Sequence, residues 1–505
     1  MLKHPGSFLS AAAARHVGCL SMGLLCCLLL SLCAHAGHYP VFGQDRIHGA
    51  GLLEDHSDAL ERWLRLGVED AVLINIDAHD DLRWIPADKI EELRHLVRKG
   101  DRKSIALANS AGDQGLYHPG SFIFAACRLG MVGKVYWVIP FAYFQGQNPS
   151  EDLDAFLASY GFGDRCIETF SLHNGCYQGI YAGIELTICG IEHLPQVDEP
   201  VILSIDADFF PPFASWYGRD VLSAMSVFSS AMAEKSYRIQ DAFVACSVNG
   251  GFLSAARRWI AGHCMEMLDH RQGIGGPYPE AWLVHNLADT YYVNGNAAAL
   301  LDLTRRYRKR FARDPCLRAY QAFALQALGD SQGAFELASG LASLDARYAF
   351  VLADLGQIQL DQGQVEAALP YFRAAYQAHP DMNYRQKNLG DALMAEGRFR
   401  QALRYYEMYR QKNGSFPVSF AMGLAALRLG DDPQAGISFG QGVSDLKEER
   451  YPFQLSEIDE AAIERAVSFF EQTDQQDAVR TITSHPCLNH LFQTSEADKS
   501  GHHHQ

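Results

Sequence analysis

No pair of cysteines in this chain has the Cys-x-x-Cys spacing of a zinc ribbon, although there are twelve cysteines in all. Positive charge is also short: the formal net charge is −16. A general nucleic-acid binder needs a basic surface, so nucleic acid is excluded as a partner, whereas a local basic pocket is not. Charged residues make up only 20% and hydrophobic ones 48%, which is globular rather than disordered composition. With 505 residues the chain is too long for one ordinary core, so two or three domains are expected.

Long apolar runs are absent except at the N-terminus. Lys3 and Arg15 precede an apolar run from Val17 to Cys33, and Ala34-His35-Ala36 fits a small-x-small cleavage site before Gly37. Residues 1–36 therefore read as an export signal, giving a periplasmic or extracellular protein. An uncleaved anchor and a mis-set start are the alternatives, and Cys26 or Cys33 is a candidate lipidation site. Contact with a membrane is expected only through such an anchor or lipid. Cys19, Cys26, Cys27 and Cys33 would leave with the signal. Of the rest, Cys166 with Cys176 or Cys189 is the most local disulfide expected, while Cys127 and Cys246, in apolar runs, read as buried free thiols.

Residues 38–272 alternate short β-rich apolar runs with amphipathic segments. The runs are Ala71–Ile76, Val135–Pro140, Pro200–Ile205 and Ala242–Ser247. Helical patterns cover Asp58–Leu66, Lys89–Arg98, Ser121–Leu129, Asp152–Tyr160, Val221–Tyr237 and Leu253–Leu268. This alternation predicts an α/β domain with a largely parallel sheet. From about residue 280 strand signals stop and a repeat begins. Gly295, Gly329, Gly363 and Gly397 are 34 residues apart, and Ala334, Ala368 and Ala402 keep the same step. With Leu355-Gly356, Phe372, Ala375 and Pro380, the pattern resembles the tetratricopeptide repeat. It predicts an all-α solenoid of four or five units over 281–450, then a C-terminal helical segment and tail over 451–505. The tail from Ser484 has no period, and His502-His503-His504 is assigned no function. Helical repeats present a long surface, so a protein or peptide partner is expected there.

Three short motifs carry chemistry. Asp77-Ala78-His79-Asp80-Asp81 directly follows an apolar run, and alternate residues 77, 79 and 81 can share one side. Ser204-Ile205-Asp206-Ala207-Asp208 ends another run, where two bare carboxylates would repel unless a divalent cation stood between them. Glu54-Asp55-His56-Ser57 precedes an amphipathic helix. Taken singly, each also reads as a polar turn or helix cap.

In that order the motifs resemble the arginase/deacetylase (ureohydrolase-like) superfamily over residues 38–272. The resemblance implies a three-layer α/β/α fold holding two Mn2+. Asp77 and Asp206 would bridge the metals, His56 and Asp81 would complete one site, and His79 and Asp208 the other. A metal-bridging hydroxide would be the nucleophile. His118, in Tyr117-His118-Pro119-Gly120, falls where arginases have a proton-shuttling histidine, and it joins Asp81 among the catalytic candidates; the alternative is a structural loop histidine. Arginases read their substrate with help from a glutamate in a Glu-Val-Asn-Pro-like stretch. Here the stretch is Ser247-Val248-Asn249-Gly250, and serine cannot pair a guanidinium bidentately. Leu53–Leu60 and Gly130–Pro140 look closer to a poorly characterised arginase-like branch.

The expected function is hydrolysis of a linear C–N bond in an amide, amidine or guanidino compound other than arginine. One alternative is a deacylase of acylated amines with a single Zn2+ on Asp77, His79 and Asp206. Another is a metal-stabilised scaffold without catalysis.

Overall fold

The computed structural model describes residues 49–492 apart from 111–114, 141–153, 155, 159–161, 236, 250, 270–277, 381, 383–384, 414 and 449–454. The signal reading, the four cysteines in it, most of the Asp152–Tyr160 helix pattern and the terminal histidines lie outside these residues. Among the described residues no helix is long and apolar enough to cross a membrane.

The apolar runs form the centre of one eight-stranded sheet. Its strands are β1 (Gly51–Leu53), β2 (Ala71–Ile76), β3 (Val132–Ile139), β4 (Ser171–His173), β5 (Cys176–Tyr181), β6 (Ile184–Gly190), β7 (Val201–Asp206) and β8 (Ile239–Ala245), in the order β1-β8-β7-β2-β3-β6-β5-β4. Pairing is parallel from β1 through β6 and antiparallel for β6-β5 and β5-β4, so the sheet is mixed. Every residue of β2 and β7 is buried, which explains why they read as continuous apolar runs rather than alternating ones. β4 and β5 escape that signal because they are exposed or polar at many positions.

Helices cover both faces. On one, Leu73, Val135 and Trp137 pack with the helices Ala59–Leu66, Ala87–Lys99 and Phe122–Arg128. On the other, Ile74, Ile76, Leu203 and Val244 pack with Phe210–Trp216, Val221–Lys235 and Trp259–Leu268, and this core runs on without a break into the repeats.

The disulfide expectation needs correction. Cys176 is bonded to Cys189, and Cys166 is free. The reason is register: Cys176 and Cys189 face each other across β5 and β6 with Cα atoms 4.6 Å apart, whereas Cys166 sits in the short helix Asp164–Ile167 with its thiol on the Ile180 carbonyl. Cys246 is a buried free thiol, and Cys127 is free but only half-buried.

Beyond residue 279 the chain forms successive helix pairs, beginning with Glu280–Val293 and Ala297–Tyr307. Pairs follow at Pro315–Ala327/Ser331–Leu344, Ala349–Asp361/Val365–Ala378, Gln386–Ala395/Phe399–Asn413 and Phe416–Arg428/Asp432–Glu448. A further pair, Glu457–Gln472 and Gln476–Thr483, extends the array past 450. The glycines spaced by 34 sit at the turn within each pair with φ of +66° to +87°, the left-handed region that favours glycine. Gly390 has a different task. A Cβ there would stand 2.4 Å from the buried Tyr406 ring. Gly390→Ala is therefore expected to cost about 1–3 kcal/mol by overpacking, read as a lower urea midpoint.

Candidate metal centre

The carboxyl ends of β1, β2, β7 and β8 meet on one edge of the sheet, where strand order reverses between β2 and β7. Such a switch point is the usual binding crevice of an open α/β sheet. Register sets the levels: Ile76 pairs with Ile205, so Asp77 and Asp206 emerge side by side, and Ala245 pairs with both Asp206 and Leu53. Glu54-Asp55-His56 thus leaves β1 beside the same edge.

Here the structure gathers all six residues singled out in the sequence. His56 Nδ1 lies 2.9 Å from Asp77 Oδ2, 3.0 Å from Asp81 Oδ2 and 3.3 Å from Asp206 Oδ2. His79 Nδ1 lies 3.1 Å from Asp208 Oδ2 and 3.6 Å from Asp77 Oδ1. Two sets with metal-ligand chemistry result, His56-Asp77-Asp81 and Asp77-His79-Asp208, and they share Asp77. All six side chains are buried except that of His79, which is 38% exposed. His79 rests against the exposed Phe252 with ring centroids 4.4 Å apart, and these two rings form the lip of the site.

A cation fits this donor set. One imidazole nitrogen cannot hydrogen-bond three carboxylate oxygens, yet three surround His56 Nδ1, which is buried without a hydrogen bond. Both carboxylate oxygens of Asp208 are likewise buried and make none. Burying several carboxylates costs several kcal/mol each unless countercharge is present. Nitrogen and carboxylate oxygen together suit manganese, iron or zinc.

The protonation balance tells the same story. Burial, then the charge of Asp206, pushes Asp208 up to about 7. Burial and the charge of Asp77 hold Asp81 well above the carboxylate range. For Asp77, burial is outweighed by His56 and His79, and its carboxyl is held below that range. Burial opposes a proton on His56 and His79, but the carboxylates around them win and raise both.

Several supporting residues were not singled out in the sequence. His56 Nε2 is 2.5 Å from Ser204 Oγ, which donates to Asn75 Oδ1 at 2.8 Å. Asn75 and Ser204 pair across β2 and β7, and their signal was present: each is the one polar residue in the apolar run that leads to Asp77 or Asp206. Trp137 Nε1 donates to the Asp77 carbonyl at 3.0 Å. The Asp77 and Asp206 carboxylates accept the backbone N–H two residues on, from His79 at 2.7 Å and Asp208 at 2.9 Å.

Ser247 turns out to be structural to the site. Its hydroxyl donates to Asp206 Oδ2. Its φ is +52°, and Asp81 has φ +51°, both strained for residues other than glycine. Ser247→Ala is expected to weaken divalent-cation affinity by about 10–100-fold with the fold intact, measured by calorimetric titration alongside far-UV circular dichroism.

His118 joins neither ligand set. It caps the turn Pro119–Ser121, its Nδ1 accepting from Gly120 N at 3.2 Å. That turn is tied to the Asp81 loop, since Arg83 N donates to Gly120 O and Ile123 N to Asp81 O. Burial, then the charges of Arg83 and Lys89, pushes His118 down to about 3, so it is neutral near pH 7 with its proton on Nε2.

The stretch after β8 joins the site to the repeats. Past Ser247 and Phe252, Ser254 donates to Asp354, Arg257 pairs with Asp289 at 2.7 Å and Trp259 Nε1 donates to Tyr320 OH. Arg258 and Arg347 both pair with Glu54, two residues before His56. Asp289, Tyr320 and Asp354 belong to the first helices of the first three pairs, so the chain's own segment covers that side of them.

Comparison with known proteins identifies the repeat region. The tetratricopeptide-repeat family model matches residues 359–427, so the chain carries a tetratricopeptide repeat. No curated protein matches the chain. Similar solved structures include MamA from Desulfovibrio magneticus RS-1, with 18% identity over 34% of this chain and 98% of that one, at TM-score 0.27. Pseudomonas aeruginosa PilF has 17% identity over 42% of this chain and 94% of that one, at TM-score 0.29.

Proposed function

We propose that the α/β domain is a metal-dependent hydrolase of a linear C–N bond in an amide, amidine or guanidino compound other than arginine. The observation that supports this most is the pair of ligand sets sharing Asp77 at the switch point of the sheet. His56, Asp77 and Asp81 would hold one divalent cation and Asp77, His79 and Asp208 a second; Asp206, expected to bridge the two, belongs to neither set and lies on the His56 side, its Oδ2 3.3 Å from Nδ1; manganese is what the family resemblance implies. Such cations, when bound, supply Lewis acidity and make water acidic enough to attack at neutral pH.

The chain's own residues do the rest. Ser204 orients His56 by its Nε2 and leaves Nδ1 for ligation. Ser247 steers Asp206 and offers no carboxylate to a guanidinium. His79 and Phe252 give the entrance an aromatic wall. His118, neutral with Nε2–H available for donation, suits holding a leaving nitrogen rather than acting as a cationic acid. Export rests on the signal-like sequence of residues 1–36. The repeats would recruit a protein or peptide partner, on surface not covered by the segment after β8.

The single-zinc deacylase is less well supported, because His79 stands against Asp208 and not Asp206. Metal analysis of the purified chain separates the readings, followed by an amide, amidine and guanidino substrate panel with Asp77→Asn and His79→Ala as controls. Two cations per chain with turnover lost in both variants is the expected result. One zinc per chain would favour the deacylase, and two cations without turnover on any class would favour the scaffold.

A further inference from the structure

One stretch inverts the acidic balance of the chain. The end of helix Ala297–Tyr307 and the turn after it carry Arg305, Arg306, Arg308, Lys309, Arg310 and Arg313, and Arg318 follows on the next helix. Arg306 pairs with Asp302, and Arg310 with Glu280. Among the described residues, Arg305, Arg308, Lys309, Arg313 and Arg318 have no carboxylate partner. The adjacent Asp314 is engaged elsewhere, accepting from His285 at 2.8 Å and from Leu317 N at 3.0 Å.

These cations do not stand on a flat polar surface. Arg308, Lys309 and Arg318 line an open cavity of about 560 Å³ together with Tyr307, Phe311 and Leu337. The Tyr307 and Phe311 rings stack with centroids 5.8 Å apart. A second cavity of about 550 Å³, shared by Arg305, Arg306, Arg308 and Lys309, adjoins it. Unpaired guanidinium groups held together repel one another, and arginine forks match phosphate oxygens. Half-buried aromatic rings among exposed cations match a partner whose anionic groups lie beside apolar ones.

We propose that this face docks on an anionic phospholipid surface, with the arginines on phosphodiester headgroups and the half-buried Tyr307 and Phe311 rings beside them at the level of the headgroup interface, where aromatic side chains are favoured. Charge sets the orientation. The chain as a whole is strongly negative, so an anionic surface repels most of it and attracts this face. The docking is independent of residues 1–36 and of the metal centre.

The test is co-sedimentation of the full chain with phosphatidylcholine vesicles, with or without phosphatidylglycerol. The variant replaces Arg305, Arg308, Lys309 and Arg313 by Gln; all four side chains are exposed. Binding through the N-terminal run is the same in both proteins and is measured on the phosphatidylcholine vesicles, so the increment caused by phosphatidylglycerol is what is compared. Phosphatidylglycerol should increase binding of the wild-type chain, and the variant should bind such vesicles at least about 100-fold more weakly, with its metal content and circular dichroism unchanged. Raising salt should weaken wild-type binding. Equal binding of the two proteins to phosphatidylglycerol vesicles would overturn the proposal. So would full displacement by inorganic phosphate at matched headgroup concentration, which would indicate a site for free anions. Capture on polyglutamate without any preference for anionic vesicles would point to an acidic peptide instead and would also overturn it.

Discussion

Asp77→Asn is expected to remove both cations from the chain, whereas His56→Ala and His79→Ala should each remove one. The difference follows from geometry: Asp77 belongs to both ligand sets, and each histidine to one. Asparagine keeps the shape of the side chain, and the Trp137 bond goes to the backbone carbonyl of residue 77, so the strand end survives. Turnover on any substrate that the panel reveals should fall by at least about 100-fold in Asp77→Asn. Elemental analysis after dialysis counts the cations directly. Retention of both by Asp77→Asn would remove the shared-ligand reading and the hydrolase proposal built on it.

The second large effect is a reversal of pH dependence. In chelated protein, Asp208 and Asp81 are pushed above their unfolded values, as are Asp55 and Asp80, each up to about 6 mainly by burial. A carboxyl raised on folding binds its proton more tightly in the native state, so its ionisation costs stability as pH rises through the folded value. The raised histidines act in the same direction, because their favourable charge is lost as pH rises through their folded values. Among the candidate ligands Asp77 is lowered, and its contribution is lost only on acidification below the ordinary carboxylate range. Chelated protein should therefore melt at lower temperature near pH 8 than near pH 6. Protein saturated with manganese should show the opposite slope, because its ligands must shed protons to bind. Thermal scans with chelator and with manganese check both arms, and parallel slopes would argue that no cation binds among these residues.

Much of this was legible in the sequence for identifiable reasons. β2 and β7 are buried on both faces, so their runs stood out, and the acids at their ends were conspicuous because nothing polar preceded them except Asn75 and Ser204. The repeat announced itself because each turn needs glycine at a fixed step. β1 has three residues, and β4 and β5 are partly exposed, so neither length nor alternation marked them. The disulfide depended on register across a hairpin that had not been recognised. Ser247 was read as a missing glutamate because its hydrogen bond to Asp206 spans strands far apart in sequence. That the repeats touch the segment beside the site could not be read at all, since pairs such as Arg257-Asp289 and Arg347-Glu54 have no local signature.

The stretch from Ser247 to Trp259 holds Asp206 at one end and is wedged among Asp289, Tyr320 and Asp354 at the other. A truncation ending near residue 272 would strip Arg257 and Trp259 of their partners Asp289 and Tyr320 and expose the apolar side of the helix Trp259–Leu268. The boundary drawn between the halves by composition is thus no place to cut. Whatever tugs or presses on the solenoid from outside has a short mechanical linkage to the ligands, and a shorter expression product would be expected to lose affinity for cations before it lost its sheet.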